Sequence, residues 1–282
     1  YRHGEVFVLD DGTECDMDLG TYERALDQNL ARLNFVTSGQ IYRRVLERER
    51  IGGYLGRDVQ MIPHVTGEVK DRLRELAIAS RADVVFVEIG GTVGDVENAY
   101  YIEAMRQLAF EEGPRSVCFV ALTYVMEPSI LGEQKSKAAQ LGIKRLMECG
   151  IQPHVIACRA QNPVCRKVRE KIALFSNVPL ERVFSMHDCE SVYLIPDLLR
   201  GAGYDKAVCE WLQLEEQIDE DHERAARERW SAYIARLRNA SRQATIGITG
   251  KYTSLRDAYA SIIKALEHAG VHLSCRVQLA WI

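Results

Sequence analysis

ADVVFVEIGGTVGDVE, residues 82–97, is the stretch on which the fold is read. Val84, Val85, Phe86 and Val87 form a continuous apolar run, rich in β-branched residues and long enough for one strand buried on both faces. The run ends on Glu88 and then breaks into Gly90, Gly91 and Gly94, with further acids at Asp95 and Glu97. An ionised carboxylate at the end of a buried strand is costly unless it meets a cation or hydrogen-bond donors. In open α/β sheets, ligands bind beyond the carboxyl ends of the strands. The stretch therefore predicts an acidic site at a strand end. The simpler alternative is a strand, a turn and a glutamate that caps the next helix.

Working outward, strand and helix signals alternate on both sides. On the N-terminal side, residues 5–9 predict a short strand, Asp10-Asp11-Gly12 a turn, and residues 21–33 a helix. Asp16 and Asp18 precede that helix. Asp16 serves the helix macrodipole, whereas Asp18 is a second acid beside Glu88. Two carboxylates from separate segments are the usual protein share of a magnesium site, with water and phosphate completing it. Residues 40–50 predict a helix crowded with charge, Val59, Met61 and Ile62 a strand, and Thr66 the cap of a helix reaching residue 78.

On the C-terminal side, a helix is expected over 98–110 and an almost wholly apolar strand over 116–124. The polar loop LGEQKSKAAQ (131–140) leads into a helix to Cys149. Lys135 and Lys137 near that helix start form either an anion site, through charge and free backbone N–H groups, or ordinary surface. A strand over 153–158, a helix over 166–175 containing Lys171, and a strand over 183–186 ending in His187-Asp188-Cys189 follow. This alternation is that of a parallel sheet with crossover helices, an α/β fold.

From Gly203 the pattern stops. Residues 204–242 are charge-dense and read as linker helices with a solvated acidic run. ATIGITGKY (244–252) then opens a strand and glycine turn, a helix over 254–268 follows, and a strand over 276–281 closes one βαβ unit of a second α/β domain.

Composition narrows the function classes. The 282 residues hold 47% hydrophobic and 27% charged side chains, ordinary for a globular protein, and suffice for one large domain or two smaller ones. A formal charge of −4 argues against a nucleic-acid binder, which is usually basic. No apolar run approaches the roughly 20 residues of a membrane span. The eight cysteines show neither a C-x-x-C pair nor zinc spacing, and Cys118 and Cys158 read as small core residues. A reducing, cytoplasmic compartment is expected. The chain begins with Tyr rather than Met, and part of a longer protein is expected.

HGEVFVLDDGTECDMDLGTYER, GGYLGRDVQMIPH, VEIGGTVGDVE, GEQKSKAAQ, SNVP, MHDCESVY-IP and IGITGKYTSLRDAYASIIKALEHAG occur in this order, and in this order they resemble CTP synthase. The resemblance spans essentially the whole chain. It implies a three-layer, P-loop-type, dethiobiotin synthetase-like amidoligase domain over 1–203, linker helices over 204–242, and the start of a class I glutaminase-like domain over 243–282. The implied reaction makes CTP from UTP, ATP and glutamine: ATP phosphorylates the 4-oxygen of the uracil, and ammonia released from glutamine displaces the phosphate. The resemblance assigns Asp18 and Glu88 to magnesium, and His3, Asp18, His187, Asp188 and Cys189 to ATP. It assigns Asp95, Val96, Glu97, the run Lys135, Ser136, Lys137, Ala138, Ala139 and Gln140, and Lys171 to UTP or the feedback inhibitor CTP. Lys135 and Lys137 are the catalytic candidates, because metal and lysines offset phosphate charge in phosphoryl transfer. A homotetramer and filaments of it are implied, with neither nucleic acid nor membrane as partner.

Three departures accompany the resemblance. The P-loop would precede residue 1. KSKAAQ stands where the family has Lys-Thr-Lys-Pro-Thr-Gln, losing a proline and one threonine hydroxyl while Ser136 keeps the other. Tyr100-Tyr101 replaces a Pro-aromatic pair. The glutaminase Cys, His and Glu would follow residue 282, so this chain alone is expected neither to hydrolyse glutamine nor to make CTP from ammonia. A catalytically degenerate nucleotide-binding paralogue and another P-loop amidoligase, of the dethiobiotin synthetase or cobyrinate amidase kind, are the rival readings.

Overall fold

A computed structural model describes residues 7–128, 132–251 and 253–282. In chain order the elements are β1 (Phe7–Val8), β2 (Glu14–Cys15), α1 (Met17–Leu26), α2 (Ser38–Arg50), α3 (Thr66–Ser80), α4 (Ala99–Glu111) and β3 (Val120–Tyr124). There follow α5 (Lys137–Glu148), β4 (Val155–Ala160), α6 (Arg166–Ser176), β5 (Val183–His187), α7 (Ile195–Gly201), α8 (Tyr204–Leu212), α9 (Glu220–Arg238), β6 (Arg242–Ile248), α10 (Ala260–His272) and β7 (Cys275–Trp281). The chain divides into two units, Arg44–Ile218 and Tyr1–Arg43 with Asp219–Ile282.

The Arg44–Ile218 unit is built on a parallel sheet of order β3-β4-β5, with Thr123 opposite Cys158 and Cys158 opposite Ser185. The two-residue period of β4 sorts its side chains. Ile156, Cys158 and Ala160 enter one core with Ala139 and Ile143 of α5 and Val168 and Ile172 of α6. Val155 enters another with Phe184 and with Tyr204, Ala207 and Val208 of α8. Burial pushes the Cys158 thiol up to about 12 and Cys118 up to about 11; Cys158 is a core residue, whereas Cys118 is partly buried against the second core. All eight cysteines are free.

Helices α2, α3 and α4 in this unit are joined by ion pairs. Arg44 reaches the buried Glu68 at 2.9 Å and Glu75 at 2.6 Å. Lys70 and Arg74 of α3 meet Glu111 of α4, Arg74 at 2.8 Å. Burial pushes the Glu68 carboxyl up while Arg44 and then Arg72 pull it down.

In the other unit, β1 and β2 form a two-residue antiparallel ladder, and β6 and β7 pair in parallel across α10. A side chain at Gly270 would come within 2.6 Å of the Cys275 carbonyl oxygen, so the missing Cβ lets α10 lie against the start of β7.

Four expectations need correction. Residues 82–90 form no strand: the segment makes no ladder, Phe86 is 85% exposed, and Val84, Val87 and Glu88 are exposed. The reason is that an apolar run becomes a buried strand only between neighbours on its edges and faces. Glu88 therefore carries no burial cost of the kind the sequence implied. Residues 57–62 also form no strand; Pro63 has no N–H to give a ladder, and Met61–Val65 wind into a turn. Thr66 does not cap α3, its hydroxyl donating instead to the Pro63 carbonyl at 3.4 Å. The first helix starts at Met17 because Asp16 accepts the Met17 N–H at 2.7 Å, and it ends where Asp27 turns left-handed.

Candidate functional site

The carboxyl ends of β3, β4 and β5 are fastened into one polar edge. Beyond β3, the loop to α5 is pinned where the Lys135 N–H donates to the Met126 carbonyl at 2.7 Å. Gln134 ties this loop to the one beyond β4, donating to the Pro163 carbonyl at 3.0 Å and accepting from the Cys165 N–H at 2.9 Å. The Val164 N–H donates to the Ser185 hydroxyl oxygen at 2.8 Å, and that oxygen lies 3.3 Å from His187 Nδ1. Arg159, in β4, pairs with Asp188 at 2.6 Å, and the Asp188 N–H donates to the Ala160 carbonyl. The Cys189 thiol turns back on the His187 carbonyl at 3.6 Å.

The lysine loop is ordered by its own residues. Ser136 is buried at the start of α5 and accepts from the Gln140 side chain at 2.9 Å; Ala139 is buried in the core, while Lys137 and Ala138 are exposed. Lys135 Nζ lies 2.6 Å from the Glu133 carboxylate, whose protonation is pushed down by that contact first and then by the charges of Lys167 and Lys171. Lys171 is exposed on α6.

The glycine loop of 90–98 keeps its shape although the run before it forms no strand. The buried Asn98 side chain donates to the carbonyls of Gly90, at 3.2 Å, and Thr92, at 2.9 Å. Gly91 and Gly94 take φ of 87° and 103°, backbone that favours glycine. Asp95, Val96 and Glu97 are thereby held outward, Val96 86% exposed. A Cβ on Gly94 would lie 2.7 Å from Arg145 Nε, so this loop abuts α5, the helix that begins with the lysine run.

The remaining assignments fall elsewhere. His3 lies outside the described residues. Asp18 sits in the first turn of α1, in the Tyr1–Arg43/Asp219–Ile282 unit; Glu88 belongs to the extended segment of the other. Among the described residues no group of three or more His, Cys, Asp or Glu is placed to hold a metal. Each of the two carboxylates is the hard-oxygen donor type that magnesium takes, with water and phosphate completing its shell. A depression of about 470 Å³, lined by Asp11, Gly12, Thr13, Arg32 and Gln40, includes none of the assigned residues.

Sequence reasoning missed Arg159, Asn98, Arg145 and the bridging role of Gln134. Arg159 had a signal, a lone charge inside an apolar strand, and Asn98 another, an amide directly after a glycine loop. Arg145 had none, since only the fold brings it to Gly94. No described helix is long and apolar enough to cross a membrane.

Parallel strands with helices between them, and polar loops joined at the strands' carboxyl ends, define an α/β protein. The family model described as "CTP synthase N-terminus" matches residues 1–214, and the chain belongs to that family. It is 46% identical over 282 residues to the CTP synthase of Methanopyrus kandleri, covering 100% of this chain and 52% of that relative. Its identity to the CTP synthase of Pyrococcus abyssi is 47%, covering 100% of this chain and 51% of the relative. For that of Bacillus pumilus the identity is 44%, with 100% and 52% covered. The chain spans about half the length of these curated relatives.

Proposed function

We propose that the protein is a glutamine-hydrolysing ligase that aminates UTP to CTP in pyrimidine nucleotide synthesis. ATP phosphorylates the uracil 4-oxygen, and ammonia from glutamine then displaces the phosphate. The observation that carries this reading is the single polar edge in which Gln134, Ser185 and Arg159 bind together the loops bearing Lys135, Lys137 and His187–Cys189. Phosphoryl transfer asks a protein for position and charge more than for covalent chemistry, and such an edge offers both.

The roles follow. His3, Asp18, His187, Asp188 and Cys189 take ATP. Asp95, Val96 and Glu97 face the pyrimidine nucleotide, UTP or the inhibitor CTP. The run from Lys135 to Gln140, with Lys171, takes its phosphates. Lys135 and Lys137 act in catalysis by offsetting charge that builds on the transferred group. Asp18 and Glu88 hold Mg²⁺, which when bound offsets the charge of the phosphates. The amidoligase domain covers 1–203 on a three-layer, P-loop-type sheet, the linker helices 204–242, and the beginning of a glutaminase domain 243–282. The protein works in the cytoplasm as a homotetramer able to form filaments, without nucleic acid or membrane as partner.

The test is CTP formation by the full-length protein from UTP, ATP and either glutamine or ammonium, followed chromatographically with phosphate release. CTP should appear in step with ATP hydrolysis, and Lys135→Ala should lower kcat/KM by about 10²-fold. Hydrolysis of ATP that neither depends on UTP nor yields CTP would sink the reading.

A further inference from the structure

Glu133 feels the charge of three lysines, one in its own loop and two on α6. Lys135 is in contact with it at 2.6 Å. Lys167 and Lys171 lie four residues apart on α6 and so share a face, while Val168 and Ile172 turn into the core. Both add to the positive field on the Glu133 carboxylate after Lys135. The two Gln134 hydrogen bonds, to Pro163 and Cys165, fix the loop directly against the entry to α6. The resemblance gives Lys135 and Lys171 a nucleotide role and gives Lys167 none.

We propose that Lys167 is a third phosphate-binding cation of the UTP subsite and that Glu133 is the internal anion the phosphates displace. This rests on the reading of the lysine run as a UTP site. Three lysines against one carboxylate leave a surplus of positive charge, which a nucleoside triphosphate satisfies and an uncharged nucleoside does not. KSKAAQ has lost one threonine hydroxyl relative to the family's run, so the loop offers the phosphates one side-chain donor fewer. A lysine on the adjoining helix, with its long stem and three rotatable donors, supplies that deficit from outside the loop.

The experiment titrates UTP and uridine against the full-length protein and follows steady-state CTP formation in parallel. Lys167→Ala should weaken UTP binding and raise its KM roughly three- to tenfold while kcat and uridine binding stay within about twofold. Lys167→Arg should restore UTP binding, and Glu133→Gln should tighten it. Lys144→Ala, which removes the same charge from an exposed position further along α5, should change neither constant. If Lys167→Ala leaves UTP binding unchanged while Lys171→Ala weakens it, the proposal is overturned and the UTP reading stands. A Glu133→Gln variant that binds UTP more weakly overturns the counter-anion role. Wild-type protein that fails to bind UTP overturns the reading and the proposal together.

Discussion

Residues 82–111 and residues 153–176 carry the same local pattern: an apolar run, a polar turn, then a helix. In the second, Val155–Ala160 gains a strand on either side and disappears into two cores. In the first, residues 84–87 gain no ladder and Phe86 stays 85% exposed, yet the glycine loop and α4 form as the pattern requires. Turns and helices close their hydrogen bonds locally, through Asn98 here, whereas a strand borrows its hydrogen bonds from elsewhere in the chain.

Paired substitutions break or sharpen this contrast. Ile156 is fully buried, so Ile156→Ala should destabilise the chain by about 2–5 kcal/mol in urea melts. Phe86→Ala removes a larger side chain and should cost no more than about 0.5 kcal/mol. Equal losses at the two positions would mean that residues 84–87 are buried in solution and would erase the contrast.

Within the glycine loop, position matters more than residue type. Gly94 has φ of 103°, and a side chain there would meet Arg145, so Gly94→Ala should cost roughly 1–3 kcal/mol and raise KM for UTP. Gly90 has open space around its missing Cβ and no left-handed backbone, so Gly90→Ala should stay within about 0.5 kcal/mol. Matching losses would show that the loop's shape comes from something other than Gly94 and Asn98.

The amino end of the sheet differs from its carboxyl end in having its polar groups tied to aromatic rings. His154 stacks on Trp211 at 3.7 Å and accepts the Phe119 N–H at 2.9 Å through Nδ1, while Arg182 and Arg115 lie over the indole. Burial, and then the Arg182 charge, lower the His154 pKa to about 4. The folded state therefore binds the proton less readily than the unfolded chain. Stability is full above pH 6.5 or so, falls as pH drops from there toward 4, and levels off below. The ring is only partly buried, so solvent screening reduces the loss to about 1–2 kcal/mol. His154→Gln keeps an acceptor for Phe119 without the titration, so its urea midpoint should change less than wild type between pH 7 and pH 4.5. Parallel pH profiles would refute the assignment.

Much of the fold was legible where periodicity and local chemistry agree. Helices α2 to α6 and strands β4, β5 and β7 fall within a few residues of the pattern, and Asp16 caps α1 as an acid at a helix start should. Strand β3 was legible as a strand but not as an edge: Leu122 is 67% exposed, because an apolar run says nothing about how many neighbours it receives. For the site, the run Lys135–Gln140 and the triad His187–Cys189 were visible as polar residues after apolar strands. Gln134's two bonds, Arg159's reach to Asp188 and Arg145's approach to Gly94 join residues 29 to 51 positions apart. Such pairings are set by sheet order, which single-sequence spacing does not encode.

Gln134 is where sheet order and the polar edge meet, and its removal should cost the fold less than the loss of Ile156. Its side chain is the bridge between the β3 and β4 loops, through Pro163 and Cys165. Neither bond is deeply buried, so Gln134→Ala should cost only about 0.5–1.5 kcal/mol. If Lys135 takes nucleotide phosphate as proposed, the effect on nucleotide should be disproportionate, because a freed loop would have to be re-ordered on each binding. We expect KM for UTP to rise about two- to fivefold with kcat nearly unchanged. Gln134→Glu keeps the acceptor for Cys165 and loses the donor for Pro163, so it should fall between wild type and Ala in stability. If Gln134→Ala lowers stability as predicted but leaves KM for UTP untouched, the two loops are joined for structure alone, and their shared edge is not the phosphate site.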